Sequence, residues 1–217
     1  MKRLLLAAGM AAPVVYCLTV LMGAAADPAY SHVKHAVSEL SQRGAPHAFW
    51  VSVGFAVSAF LCGVFGVGVL GLAHAERSWL RPVGWFLIAY AILAILPGTI
   101  FPMDPFGSVM TLPGLMHIIL VALAAVVLFA LLLNAGATLR KEYPWFRGYS
   151  WLSMAAMAAG GLLSAYAGLR GIPILGAAER LTQAGYQVWT LVFAYLLIRM
   201  STHRSSQANV ATHPLPR

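Results

Sequence analysis

Six apolar runs, each long enough to cross a lipid bilayer, leave this chain few folds to choose from. A helix rising about 1.5 Å per residue needs about 20 residues to cross a hydrocarbon core of about 30 Å. Runs of that order extend from Leu4 to Ala26, Ala48 to Ala73, Pro82 to Ile100, Pro113 to Ala137, Tyr149 to Leu169 and Leu181 to Met200. None alternates with period two over about ten residues, as a strand of a membrane barrel does. A backbone in lipid must satisfy its own hydrogen bonds, so the expectation is an all-α polytopic bundle of six transmembrane helices, a single domain over 1–200. Only 9% of the 217 residues are charged, against roughly 25% in a soluble domain.

The opening MKRLLLAAGMAAPVVYCLTVLMGAAAD also has the outline of a secretory signal, with Lys2 and Arg3 first and Ala24, Ala25 and Ala26 as a small-residue cleavage site. Its apolar run of about 23 residues exceeds the signal core of about 7 to 15, so it is read as a retained helix. Cleavage would leave five spans in the same orientation.

Short loops rich in Lys and Arg stay cytoplasmic. With both termini inside, ten of these residues are internal, and only Lys34, Arg43, Arg170 and Arg180 are external. That topology, with attraction to anionic headgroups, accounts for the net charge of +8 without a nucleic-acid partner. Of the six acids, Asp27, Glu39, Asp104 and Glu179 fall on the outer side.

Small residues mark close helix approach: Gly54, Ser58, Gly63, Gly66, Gly68 and Gly71 in the second run, and Ala156, Gly160, Ser164 and Gly168 every four residues in the fifth. The second set serves contact within one subunit first, and a homo-oligomer face second. The six tryptophans mostly fall near span ends, as interfacial anchors do. Cys17 and Cys62 lie inside spans, where they pack as small apolar side chains. The stretch PGTIFPMDPFGSVMTLPG reads as a structured turn or re-entrant loop, and 201–217 as a disordered cytoplasmic tail.

Against this background HVKHAVSELSQRGAPH, from His32 to His47, stands out as polar. Helical spacing from Pro28 to Gln42 puts Tyr30, Val33, Val37 and Leu40 on one side and His32, His35 and Glu39 on the other, a short amphipathic helix in the first outer loop. An interfacial helix is the plain reading. Asp104 in the next outer loop, His47 at the mouth of the second span and His117 one turn inside the fourth point instead to a site, because an ionisable group at membrane depth needs a partner or a polar cavity.

His35, His47, Asp104 and His117 are candidate zinc ligands, since imidazole and carboxylate both suit that metal. Glu39 and Asp104 would otherwise work as an acid/base pair, or anchor Arg43 and Arg180 in an ion-pair network closed by Glu179. Motifs for phosphate cradling, for a GxSxG nucleophile and for Cys-based metal sites are absent from the sequence.

SELSQRGAPH, IFPMDPFG and the histidine that follows resemble a family of bacterial integral membrane proteins, the domain of unknown function numbered 998. The likeness rests on Ser38, Glu39, Leu40, Phe101, Pro102, Asp104 and His117 and covers nearly the whole span region. A weaker likeness to the Frag1/DRAM/Sfk1-type membrane proteins implies a part in lipid or membrane homeostasis. A fainter one to the zinc-dependent membrane hydrolases of the ceramidase and progestin-receptor type lacks their seventh helix and His-x-x-x-His motif.

The leading expectation is a multi-pass protein of the bacterial inner membrane whose partners are membrane lipids. It would bind a lipid or other amphiphile in a polar outer-leaflet cavity through Ser38, Glu39, Arg43, His47, Asp104, His117 and Arg180. A membrane-embedded hydrolase with Glu39, Asp104 and His117 as catalytic candidates ranks second, metal-dependent or using a carboxylate–histidine pair, and a transporter third.

Overall fold

A computed structural model describes the backbone of residues 2–75 and 77–212 and the side chains of 3–74 and 77–202. Six long helices make up the chain: α1 (Lys2–Ala25), α2 (Ala48–Ala75), α3 (Arg81–Thr99), α4 (Leu112–Thr138), α5 (Pro144–Arg170) and α6 (Leu175–Thr212). Each contains a segment long and apolar enough to cross a membrane, and no strand occurs among the described residues. The chain is a six-helix, multi-pass membrane protein. The tail expected to be disordered over 201–217 instead continues α6 as helical backbone to Thr212, and 213–217 lie outside the described residues.

Local chemistry sets the helix ends. Proline occupies the first or second position of α3, α4 and α5, where a missing N–H costs little because first-turn amides have no helical partner. The Thr111 hydroxyl caps α4 by accepting from the Gly114 N–H (3.3 Å). Gly171 ends α5 at φ 63°, a left-handed conformation that glycine adopts without a Cβ clash. Because α6 begins at Leu175, six residues before the apolar run at Leu181, Glu179 and Arg180 belong to its opening turns and not to the loop before it.

Consecutive helices pack against one another, and α1 closes the arrangement against α6. Both termini therefore lie at one end of the bundle, with the α2–α3 and α4–α5 connections. The longer connections 26–47 and 100–111 lie at the other, the long-loop end.

Some of the small residues expected at close contacts do admit a neighbouring helix of the same chain, while a Cβ on Gly71 would meet nothing within 4 Å. A Cβ on Gly160 of α5 would lie 2.6 Å from the Thr182 backbone nitrogen of α6, and one on Gly66 of α2 would lie 2.9 Å from the Gly84 carbonyl oxygen of α3. The core is aromatic: Trp189 and Phe193 stack at 4.9 Å, with Phe146 and Phe65 against them. Trp189 thus departs from the interfacial pattern. It is fully buried, its indole N–H donating to the Ser150 hydroxyl at 2.9 Å, whereas Trp50, Trp85, Trp145 and Trp151 are exposed.

Candidate functional site

The polar stretch from Pro28 to Gln42 does not form the expected amphipathic helix. It runs as turns into a five-residue 3-10 helix, Val37–Ser41. Its backbone partners lie on α6 instead. Val33 accepts from the Ala177 N–H (3.0 Å), one of the α6 amides that lack a helical partner. Glu179 accepts from the Val37 N–H (2.6 Å), which the short 3-10 helix cannot satisfy by itself. Glu39 folds back on its own turn and accepts from the Ala36 N–H (2.6 Å).

Arg180 fastens the same junction. Its guanidinium donates to the His35 carbonyl (3.2 Å), the Tyr30 hydroxyl (2.8 Å) and His32 Nδ1 (2.9 Å), and lies 5.6 Å from the Tyr30 ring centre. A guanidinium only donates, so His32 accepts on Nδ1 and carries its proton on Nε2. His35 Nδ1 likewise accepts from the Ser31 N–H (3.0 Å). Burial pushes the Tyr30 phenol above its ordinary value, with Arg180 pulling the other way. The close approach depends on Gly176, where a Cβ would run into the His35 and His32 carbonyls.

A second set of contacts shapes the Pro/Gly-rich loop 100–111. Asp104 accepts from the Thr111 N–H (2.7 Å) and hydroxyl (2.9 Å) just before α4, and a Cβ on Gly114 would fall on its carboxylate. The Thr111 amide and hydroxyl, with Arg43 beside them, hold the Asp104 carboxyl below the usual carboxylate range. His117, buried in the second turn of α4, lies with Nδ1 2.9 Å from the Phe101 carbonyl oxygen. A carbonyl only accepts, so here Nδ1 is the protonated nitrogen. The Arg43 N–H donates to the Met103 carbonyl (2.9 Å) and joins this loop to the first one.

Beneath that joint lies a cavity of about 630 Å³ between α2 and α3. Phe49, Val53, Val57 and Phe60 of α2 and Ile95 and Gly98 of α3 line its apolar length, and Ser41, Gln42, Arg43 and Pro102 frame its mouth. The Arg43 side chain is 47% exposed, and its contact with Asp104 is long at 3.8 Å. Phe49 and Phe60 are exposed, so the groove opens sideways, where lipid would lie.

The expected site residues therefore divide into separate groups. Ser38, Glu39, His35 and Arg180 belong to the junction between the first loop and α6. Asp104 and His117 hold the second loop, His47 is exposed at the start of α2, and Arg43 alone faces the groove mouth. No hydrogen bond or ion pair joins Glu39, Asp104 and His117. Among the described residues no three His, Cys, Asp or Glu side chains gather as metal ligands would, so His35, His47, Asp104 and His117 do not fit a zinc ion.

Thr111 was missed in the sequence, although the Thr-Leu-Pro-Gly order that opens α4 carries the signal of a cap. The groove residues carry no such signal, since an apolar side chain facing a cavity and one facing lipid look alike in sequence.

A protein-family model described as Protein of unknown function (DUF998) matches residues 10–196, which reaches into all six helices and takes in both loops. No curated protein and no solved structure matches the chain.

Proposed function

The chain belongs to the DUF998 family, and from that premise we propose that it binds a phosphate-bearing membrane lipid, or an amphiphile of the same shape, in the groove between α2 and α3. The observation that carries this reading is Arg43, a half-exposed cation with one long ion pair, at the mouth of an apolar groove open to the membrane. Lipid tails are as apolar as the side chains lining the groove, so moving a tail from bulk lipid into it releases little free energy. Selectivity then falls to the headgroup, and a guanidinium grips a phosphate with two parallel hydrogen bonds.

Arg180 has no such freedom, because its donors already serve the first loop and its own helix. The excess of Lys and Arg at the terminus end supports a long-loop end that faces outward, and the lipid would then come from the outer leaflet of a bacterial inner membrane.

Mass spectrometry of lipid retained by the purified protein tests the reading. A phosphate-bearing lipid should be enriched over the membrane extract. Arg43→Gln should reduce that enrichment about tenfold, the loss of one charge-assisted pair, and Ala56→Trp, which fills the groove that Ala56 lines, should also reduce it, while the melting temperature holds in both. Retained lipid of bulk composition in the unmodified protein, or enrichment indifferent to both substitutions, would sink the proposal.

A further inference from the structure

At the terminus end, α4 passes into α5 through a three-residue 3-10 helix, Leu139–Lys141, and the two helices stand apart around a second groove of about 330 Å³. Its walls are Leu132, Leu133 and Ala137 of α4 and Trp151 and Met154 of α5, with Arg147 at its edge. Arg147 is exposed, and no hydrogen bond or ion pair joins it to another described residue. Arg140 and Lys141 are exposed beside the same junction. Glu142, the acid next to them in sequence, is drawn away to Arg77 at 2.8 Å.

Arg147 therefore lines a largely apolar groove with no acid paired to it, Arg140 and Lys141 stand exposed on the connection just before its helix, and Trp151 lies 53% exposed along the wall. An ionised side chain at the edge of hydrocarbon requires a counter-charge or water, and a basic pocket between membrane helices suits a lipid phosphate.

We propose that the α4/α5 groove binds an acidic phospholipid, with its phosphate on Arg147 and a tail along Leu133, Ala137 and Trp151. The site lies at the opposite end of the bundle from the α2/α3 groove and does not depend on it. It also selects differently. The outer groove offers Arg43 with the Asp104 carboxylate 3.8 Å away, which tempers net negative charge, whereas Arg147 lines this groove with no acid paired to it, which favours a headgroup with a net negative charge.

Quenching of Trp151 by brominated lipid tests this on the full-length protein. The Trp151 signal is the difference between the unmodified protein and Trp151→Phe. It is read in phosphatidylcholine vesicles doped with either brominated phosphatidylglycerol or brominated phosphatidylcholine. The acidic lipid should show about fivefold greater local enrichment, the effect of roughly one fixed cation at a headgroup. Arg147→Gln should remove most of that preference, Arg147→Lys should keep most of it, and inorganic phosphate should not compete. Equal quenching by the two lipids in the unmodified protein, or a preference that survives Arg147→Gln in protein of unchanged melting temperature, would overturn the site. Competition by inorganic phosphate would overturn the lipid as its occupant.

Discussion

Asp104 fulfils two roles with one side chain, holding the start of α4 through Thr111 and lying near Arg43 at the groove mouth. Its carboxyl is held below the usual range chiefly by the Thr111 amide. A carboxyl so held stabilises the fold above its unfolded value near 3.9, and that contribution is lost as pH falls through the lower, folded value. Asp104→Ala should therefore melt below the unmodified protein at pH 7, and the gap should narrow in acid below about pH 4. A gap that stays constant across melts from pH 7 to pH 3 would rule out the ionised carboxylate as its source. The histidines show how little residue type alone decides at this scale. His32 and His35 accept on Nδ1 while His117 donates from it, and only the neighbouring Arg180 guanidinium, Ser31 amide and Phe101 carbonyl distinguish them.

Between elements, glycine placement was the most legible part of the packing. Gly160 admits the backbone of α6 so closely that a Cβ would meet the Thr182 nitrogen at 2.6 Å, whereas a Cβ on Gly148 meets nothing within 4 Å. Gly160→Ala should cost about 1–3 kcal/mol through overpacking against backbone that cannot yield. Gly148→Ala, in the same helix, should gain up to about 1 kcal/mol from helix propensity. Thermal melts of the two variants in detergent check the pair, and similar shifts of one sign would contradict the packing. The missed element was the helix expected over 28–42. Of its expected oily side Val37 and Leu40 are buried, whereas Val33 is exposed. However, Ala177, Glu179 and Arg180 offered the loop backbone stronger partners than a lone interfacial helix would have found in itself.

For the whole molecule, the distribution of Lys and Arg predicts which end faces outward. A cysteine replacing Lys34 should react with a membrane-impermeant thiol reagent on intact cells, and one replacing Arg140 should react only after lysis; the reverse would invert the topology and reassign both grooves to the opposite leaflets. Class, helix number and most helix positions were readable from the chain alone. A bilayer imposes length and apolarity on each span separately, so each run of about 20 residues carries its own signal. The polar contacts between the first loop and α6 were not readable, because they join residues about 150 positions apart, as Arg180 joins Tyr30, and no local pattern encodes such pairs. Tertiary structure alone decided that Glu39, Asp104 and His117 would serve three different backbones rather than one site, and that Arg43 would stand at the groove. Each of these polar groups had to find a partner wherever the packed helices brought one within reach.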